Sequence, residues 1–234
     1  MDTNAVYIII PTSVASQALF RCAFVKIYHK VERVIEKSIQ RHESENRDET
    51  RNSSDQTEEV SEVSLLRLEL NDVSCGLASG VGFGFMHTVM LYGTLLASEN
   101  NRIGTLYQES CTAMPSIFNS ALMAFMFGIL DIVWMMLSFY GMRRLNGIGR
   151  ISEWSFTKGH IGGKAALAFV FASHLAASFA TLPNEIFSSN GCYVALPVLA
   201  TITVVTCSLA WIYCNETYLP EGQKDRIRQV RHLD

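Results

Sequence analysis

Three ionisable side chains stand where charge is costly. His87, Asp131 and His174 each lie inside a run of about 20 apolar residues, the length that crosses a bilayer. Two imidazoles and a carboxylate are ligand types of several metal sites, and they are also the parts of a proton relay. An intramembrane metal-dependent enzyme and a small transporter are therefore two readings of these residues. Against the enzyme, no H-E-x-x-H and no paired-ligand spacing on one helix accompanies them. Against the transporter, no internal repeat is evident. The third reading is structural. A lone aspartate at mid-membrane costs about 3 kcal/mol, so Asp131 should face protein and find a donor. His174 is the natural partner, with Ser178 and Thr181 on the same side of its helix, and His87 should lie nearby. Separate bonds from each group to backbone carbonyls or hydroxyls are the competing arrangement, with equal weight.

A glycine repeat must position His87. Gly76, Gly80 and Gly84 recur every fourth residue and form one bare groove on a helix, with His87 three residues further on. In water each interior glycine would cost about 1 kcal/mol against alanine. In lipid, helix association rests on close backbone approach, which small-xxx-small faces permit. The groove is thus expected to be a packing face for a partner helix. It is not a nucleotide loop, because Gly80-x-Gly82-x-Gly84 lacks the second intervening residue of GxGxxG.

The elements carrying these residues read as an all-α, polytopic transmembrane helix bundle. The chain has 234 residues and is 49% hydrophobic, averages that a soluble domain could share, but charge is gathered in a few segments between long apolar runs. Five spans are expected: the first from about Ala5 to Ile27, continued by an amphipathic extension into water so that the helix covers 5–39, and the others at 73–97, 116–142, 161–182 and 191–213. Arg21, near the end of the first span, is expected to snorkel with Lys26, and Asp72 to reach the headgroups. Residues 40–64, rich in Glu, Asp, Ser and Asn, read as a disordered loop. A polar loop is expected from Ser98 to Met114, and a tail at 214–234.

Lysine and arginine fix the orientation. Nearly all of them fall between Lys30 and Arg67, between Arg143 and Lys158, and in the tail. The positive-inside rule puts those segments in the cytosol, with a lumenal N-terminus and a cytosolic C-terminus. The net charge of −3 argues against a nucleic-acid partner. Met1-Asp2-Thr3-Asn4 has no basic character, so no cleavable signal peptide is expected. Six cysteines without CxxC spacing support neither a zinc ribbon nor a redox motif. Cys111 and Cys192 both fall near the lumenal surface and could pair if the loop after Ala97 folds toward the last helix. Two free thiols are the favoured alternative, because nothing in the sequence brings their Cα atoms within about 7 Å. No cofactor and no bound metal are expected.

The order of features resembles the Aph (anterior pharynx defective) subunit family of gamma-secretase. Gln17-x-x-Phe20-Arg21 with its basic extension is similar to the end of the family's third helix. Gly76-x-x-x-Gly80 is similar to its fourth, Ser173-His174-Leu175 to its sixth, and Gly191-Cys192 with Pro197 and Leu199 to its seventh. The resemblance implies that the chain starts within the third of seven spans, as a divergent member lacking two helices. The second intramembrane histidine typical of the family is replaced by Asp131, and residues 40–64 look like an insertion. The resemblance further implies a non-catalytic scaffold of the endoplasmic reticulum, Golgi or plasma membrane, acting in Notch signalling and protein processing. Its partners would be presenilin, nicastrin and the presenilin enhancer subunit. The catalytic aspartates would belong to presenilin: Leu130-Asp131-Ile132 has no Gly-Leu-Gly-Asp or Tyr-Asp motif.

Overall fold

The computed structural model describes residues 3–49, 72–99, 107–108, 111–145, 159–186 and 191–218. Five long helices form the bundle: α1 (Thr3–Glu49), α2 (Asp72–Glu99), α3 (Ser116–Leu145), α4 (Gly159–Ala180) and, after the short α5 (Pro183–Ile186), α6 (Gly191–Tyr218). Each is long and apolar enough to cross a membrane, over Tyr7–Ile39, Asp72–Met90, Ser116–Leu145, Gly162–Ala180 and Gly191–Ile212. The expected all-α bundle is what the chain forms, with one addition. Inside the expected 98–114 loop, β1 (Tyr107–Gln108) and β2 (Cys111–Pro115) pair antiparallel and lead into α3.

α3 is the hub. It is apolar around most of its circumference and touches α1, α2, α4, α6 and β2, leaving Ile117, Phe118 and Phe125 exposed. Trp134, Leu130, Leu137 and Met135 are fully buried along it. Ala166, Val170 and Ala177 of α4 and Leu199 and Ala210 of α6 close one side of this core. Val25 of α1 joins Met135, Phe139 and Met142 on another.

The glycine groove of α2 is filled from within the chain. A Cβ on Gly80 would stand 2.7 Å from the Cα of Ile132, and one on Gly76 3.2 Å from the Cα of Met136. On Gly84 it would be 2.9 Å from the carbonyl oxygen of Gly128. The sequence expectation of a partner helix is corrected here: α3, the next span, takes the face, because it is tethered at high effective concentration and offers Gly128 opposite Gly84. A second close approach, between Gly141 of α3 and Gly163 of α4, fixes the other side of the hub.

α1 departs from expectation at its far end. Helix continues through residues 40–49, which the sequence reading assigned to a disordered loop. That stretch has neither proline nor glycine to break the helix. The rest of the predicted loop, 50–64, lies outside the described residues.

Candidate functional site

The α2–α3 seam sets the depth of His87 and Asp131 together. Because Gly84 lets the backbones touch, a Cβ there would be only 3.5 Å from the Cβ of Asp131. One turn further, His87 Nδ1 lies 2.7 Å from Asp131 Oδ2. An ionised carboxylate can only accept, so His87 carries its proton on Nδ1. The other carboxylate oxygen accepts from Nη2 of Arg21 on α1, a pair whose side chains are almost completely buried. Nη1 of the same guanidinium donates to His174 Nδ1 of α4 at 3.1 Å. His174 is therefore a neutral acceptor, with its proton on Nε2.

Trp134 locks this constellation. Its ring stacks on His174 with centroids 4.2 Å apart, and the Arg21 guanidinium lies 5.2 Å from its centroid. Its Nε1 donates to Ser173 Oγ at 2.9 Å. One residue from each of α1, α2, α3 and α4 thus converges on a single charge-compensated knot. An isolated charge in the bilayer costs about 2.5–3.5 kcal/mol on insertion scales, whereas paired ions face each other instead of lipid. Each Asp131 oxygen accepts from a donor, and the arrangement ties four helices together.

A second ionic cluster sits near the Arg143 end of the bundle. Arg143 Nη2 of α3 donates to both Glu32 oxygens of α1 at 2.7 Å each, while its Nε and Nη2 bond Asp72 of α2. Asp72 is buried, which corrects the expectation that it reaches the headgroups. A guanidinium on the adjacent helix is a nearer and better-fitted partner than lipid.

At the opposite end, Cys111 and Cys192 form a disulfide with Cα atoms 5.4 Å apart. The favoured alternative of free thiols is therefore not the one adopted: the β-hairpin carries Cys111 to the start of α6. With a sequence separation of 81, opening the bridge should cost about 4.5 kcal/mol in the chain-entropy picture. We expect Cys192→Ser to lower the unfolding temperature of the detergent-solubilised protein, and alkylation without reductant to leave Cys111 and Cys192 unmodified in the wild type. Recovery of both cysteines as alkylated peptides would contradict this.

Comparison with known families decides what the knot belongs to. A model of the family described as "Aph-1 protein" matches residues 1–217. The chain belongs to the Aph-1 family. With five helices among the described residues long and apolar enough to cross a membrane, this Aph-1 family member is an integral, multi-pass membrane protein. A relative from Arabidopsis thaliana, named "Gamma-secretase subunit APH1-like", is 27% identical over 209 residues, which cover 87% of this chain and 67% of the relative. No solved structure matches.

In this Aph-1 chain the three predicted polar residues do come together, but by a different wiring. The sequence leaves an Asp131–His174 contact and separate bonds for each group equally open; in the structure Arg21 stands between the two and bonds both. The expectation that Arg21 snorkels with Lys26 is corrected: its side chain turns inward to the buried carboxylate of Asp131. One signal could have found it. Val14, Arg21, Val25 and His29, all buried, recur at helical spacing along one face of α1.

Proposed function

We propose that this Aph-1 family protein is a non-catalytic scaffold subunit that assembles and stabilises a gamma-secretase-like intramembrane aspartyl protease. The observation that carries the reading is the four-helix knot. Its carboxylate bonds Arg21 and His87 from two other helices, as in a structural cross-link, and the printed name of the plant relative is that of a gamma-secretase subunit. The outer faces fit the same role. Leu77, Val81, Phe85 and Met86 of α2 and Tyr193, Val194, Val198, Val204 and Trp211 of α6 are exposed, apolar and available to lipid or to partner helices. On this reading the partners are presenilin, nicastrin and the presenilin enhancer subunit, and presenilin supplies the catalytic aspartates. The basic segments lie in the cytosol and the disulfide end in the lumen, the oxidising side.

The test is purification of the tagged full chain from its own membranes in mild detergent, followed by mass spectrometry of what accompanies it. Recovery of a presenilin-type protease with the chain supports the proposal. A chain that purifies alone, or only with unrelated membrane proteins, refutes it.

A further inference from the structure

We propose that His29, Glu32 and Asp72 form a binding site for a divalent first-row metal ion, with zinc the best-matched representative. The site lies between α1 and α2, far along α1 from the Arg21 knot, and the scaffold reading above does not use it.

His29 and Glu32 stand at i, i+3 on α1, so both side chains leave one face of the helix. Asp72 opens α2 opposite them. One ligand atom from each of the three, an imidazole nitrogen and two carboxylate oxygens, lies within 4.8 Å of both others. This is the ligand chemistry of zinc, and of manganese and ferrous iron more weakly. The acidic pair alone would signify nothing, because Arg143 already bonds both carboxylates. The independent sign is His29. It is fully buried, yet among the described residues neither of its ring nitrogens has a hydrogen-bond partner. An orphaned buried polar group costs about 1–3 kcal/mol, and the rings packed beside His29, Tyr28 and Phe139 with centroids 5.9 and 6.0 Å away, do not satisfy it.

The spacing separates a metal from a proton. His29 Nε2 lies 3.8 Å from Asp72 Oδ1, too far for a hydrogen bond even if the imidazole were charged. Two ligands of one tetrahedral ion, each bonded at about 2.0–2.2 Å, sit about 3.4 Å apart. The observed separation is thus close to that of two ligands on a common ion. Charge agrees in sign: two carboxylates and one guanidinium leave the cluster one negative charge in excess. Arg143 does not exclude the ion. A carboxylate has about four acceptor sites, and a guanidinium on the outer ones is the kind of partner that orients metal-binding carboxylates. Glu32 and Arg143, whose side chains keep 14% and 24% of their surface exposed, provide the way in.

The probe is zinc ion alone, titrated against a chromogenic chelator into the purified full chain carrying a histidine-free tag, with cobalt(II) as the spectroscopic substitute. We expect one zinc per chain and a tetrahedral cobalt spectrum. Glu32→Gln and His29→Gln should each weaken binding at least about 10-fold, the lower bound known for partners even one shell further out. His42→Gln, on the exposed continuation of α1, should leave it unchanged. Because Glu32 is on the rim, its variant tests the site even if His29→Gln fails to fold, and X-ray absorption of the wild-type zinc form should show an imidazole in the coordination shell. No stoichiometric zinc, affinity indifferent to Glu32→Gln, or a shell of oxygens without imidazole would each overturn the proposal. The last two would mean an ion held adventitiously at the surface. A pH-dependent stability change lost in His29→Gln, with no zinc bound, would mean that a proton fills the role instead.

Discussion

Asp131→Leu should cripple the bundle. The substitution leaves the Arg21 guanidinium buried with no counter-charge and deprives His87 of its acceptor. Breaking one side of a buried ion pair costs about 3–5 kcal/mol, a large part of the stability a domain of this size commands. The expected result is loss of a monodisperse peak in detergent, or an unfolding temperature far below that of the wild type. Asp131→Asn should be milder, because the amide still accepts from one donor. The decisive variant is the double substitution Arg21→Met with Asp131→Leu. Removing both charges together should restore much of what Asp131→Leu alone destroys, since an apolar pair of similar volume is often as stable as the ions it replaces. If the double variant is worse than the sum of the singles, the ion pair is not the source of the effect.

Gly80→Leu should separate α2 from α3, and Gly80→Ala should already show the direction. The atom an added Cβ meets at Gly80 is the Cα of Ile132, which no rotamer change can move. Overpacking a well-fitted interface costs about 1–3 kcal/mol even where side chains can adjust. Against backbone we expect the upper end for alanine, and failure to recover folded protein for leucine. Gly82 provides the control. It belongs to the same helix and nothing lies within 4 Å of its added Cβ, so Gly82→Ala should be neutral or slightly stabilising. Thermal unfolding of the three variants in one detergent checks the contrast. Equal melting of Gly80→Ala and Gly82→Ala would show that the seam is not packed as described.

The same seam explains why the glycine repeat could be seen but its occupant could not. A four-residue glycine period announces a close helix contact wherever it occurs in lipid. It holds no information on which helix arrives. α3 could be recognised only from the matching Gly128 and from the depth at which Asp131 meets His87, two relations that exist between helices.

The span count, their approximate limits and the three polar residues were set by composition and spacing alone, because a bilayer demands long apolar runs and penalises every charge left inside them. Tertiary structure decided which way the faces turn. On α1 the apolar residues Phe24, Ile27, Val31 and Val34 look like a core stripe, yet they are exposed, while Arg21 and His29 are buried with Val14 and Val25. In water that stripe would point inward. In lipid, apolar side chains lose nothing by facing out, and polar groups must find one another, so the bundle is organised around its cations and carboxylates. Their pairing across 110 residues, from Arg21 to Asp131, is a long-range choice that no local period encodes.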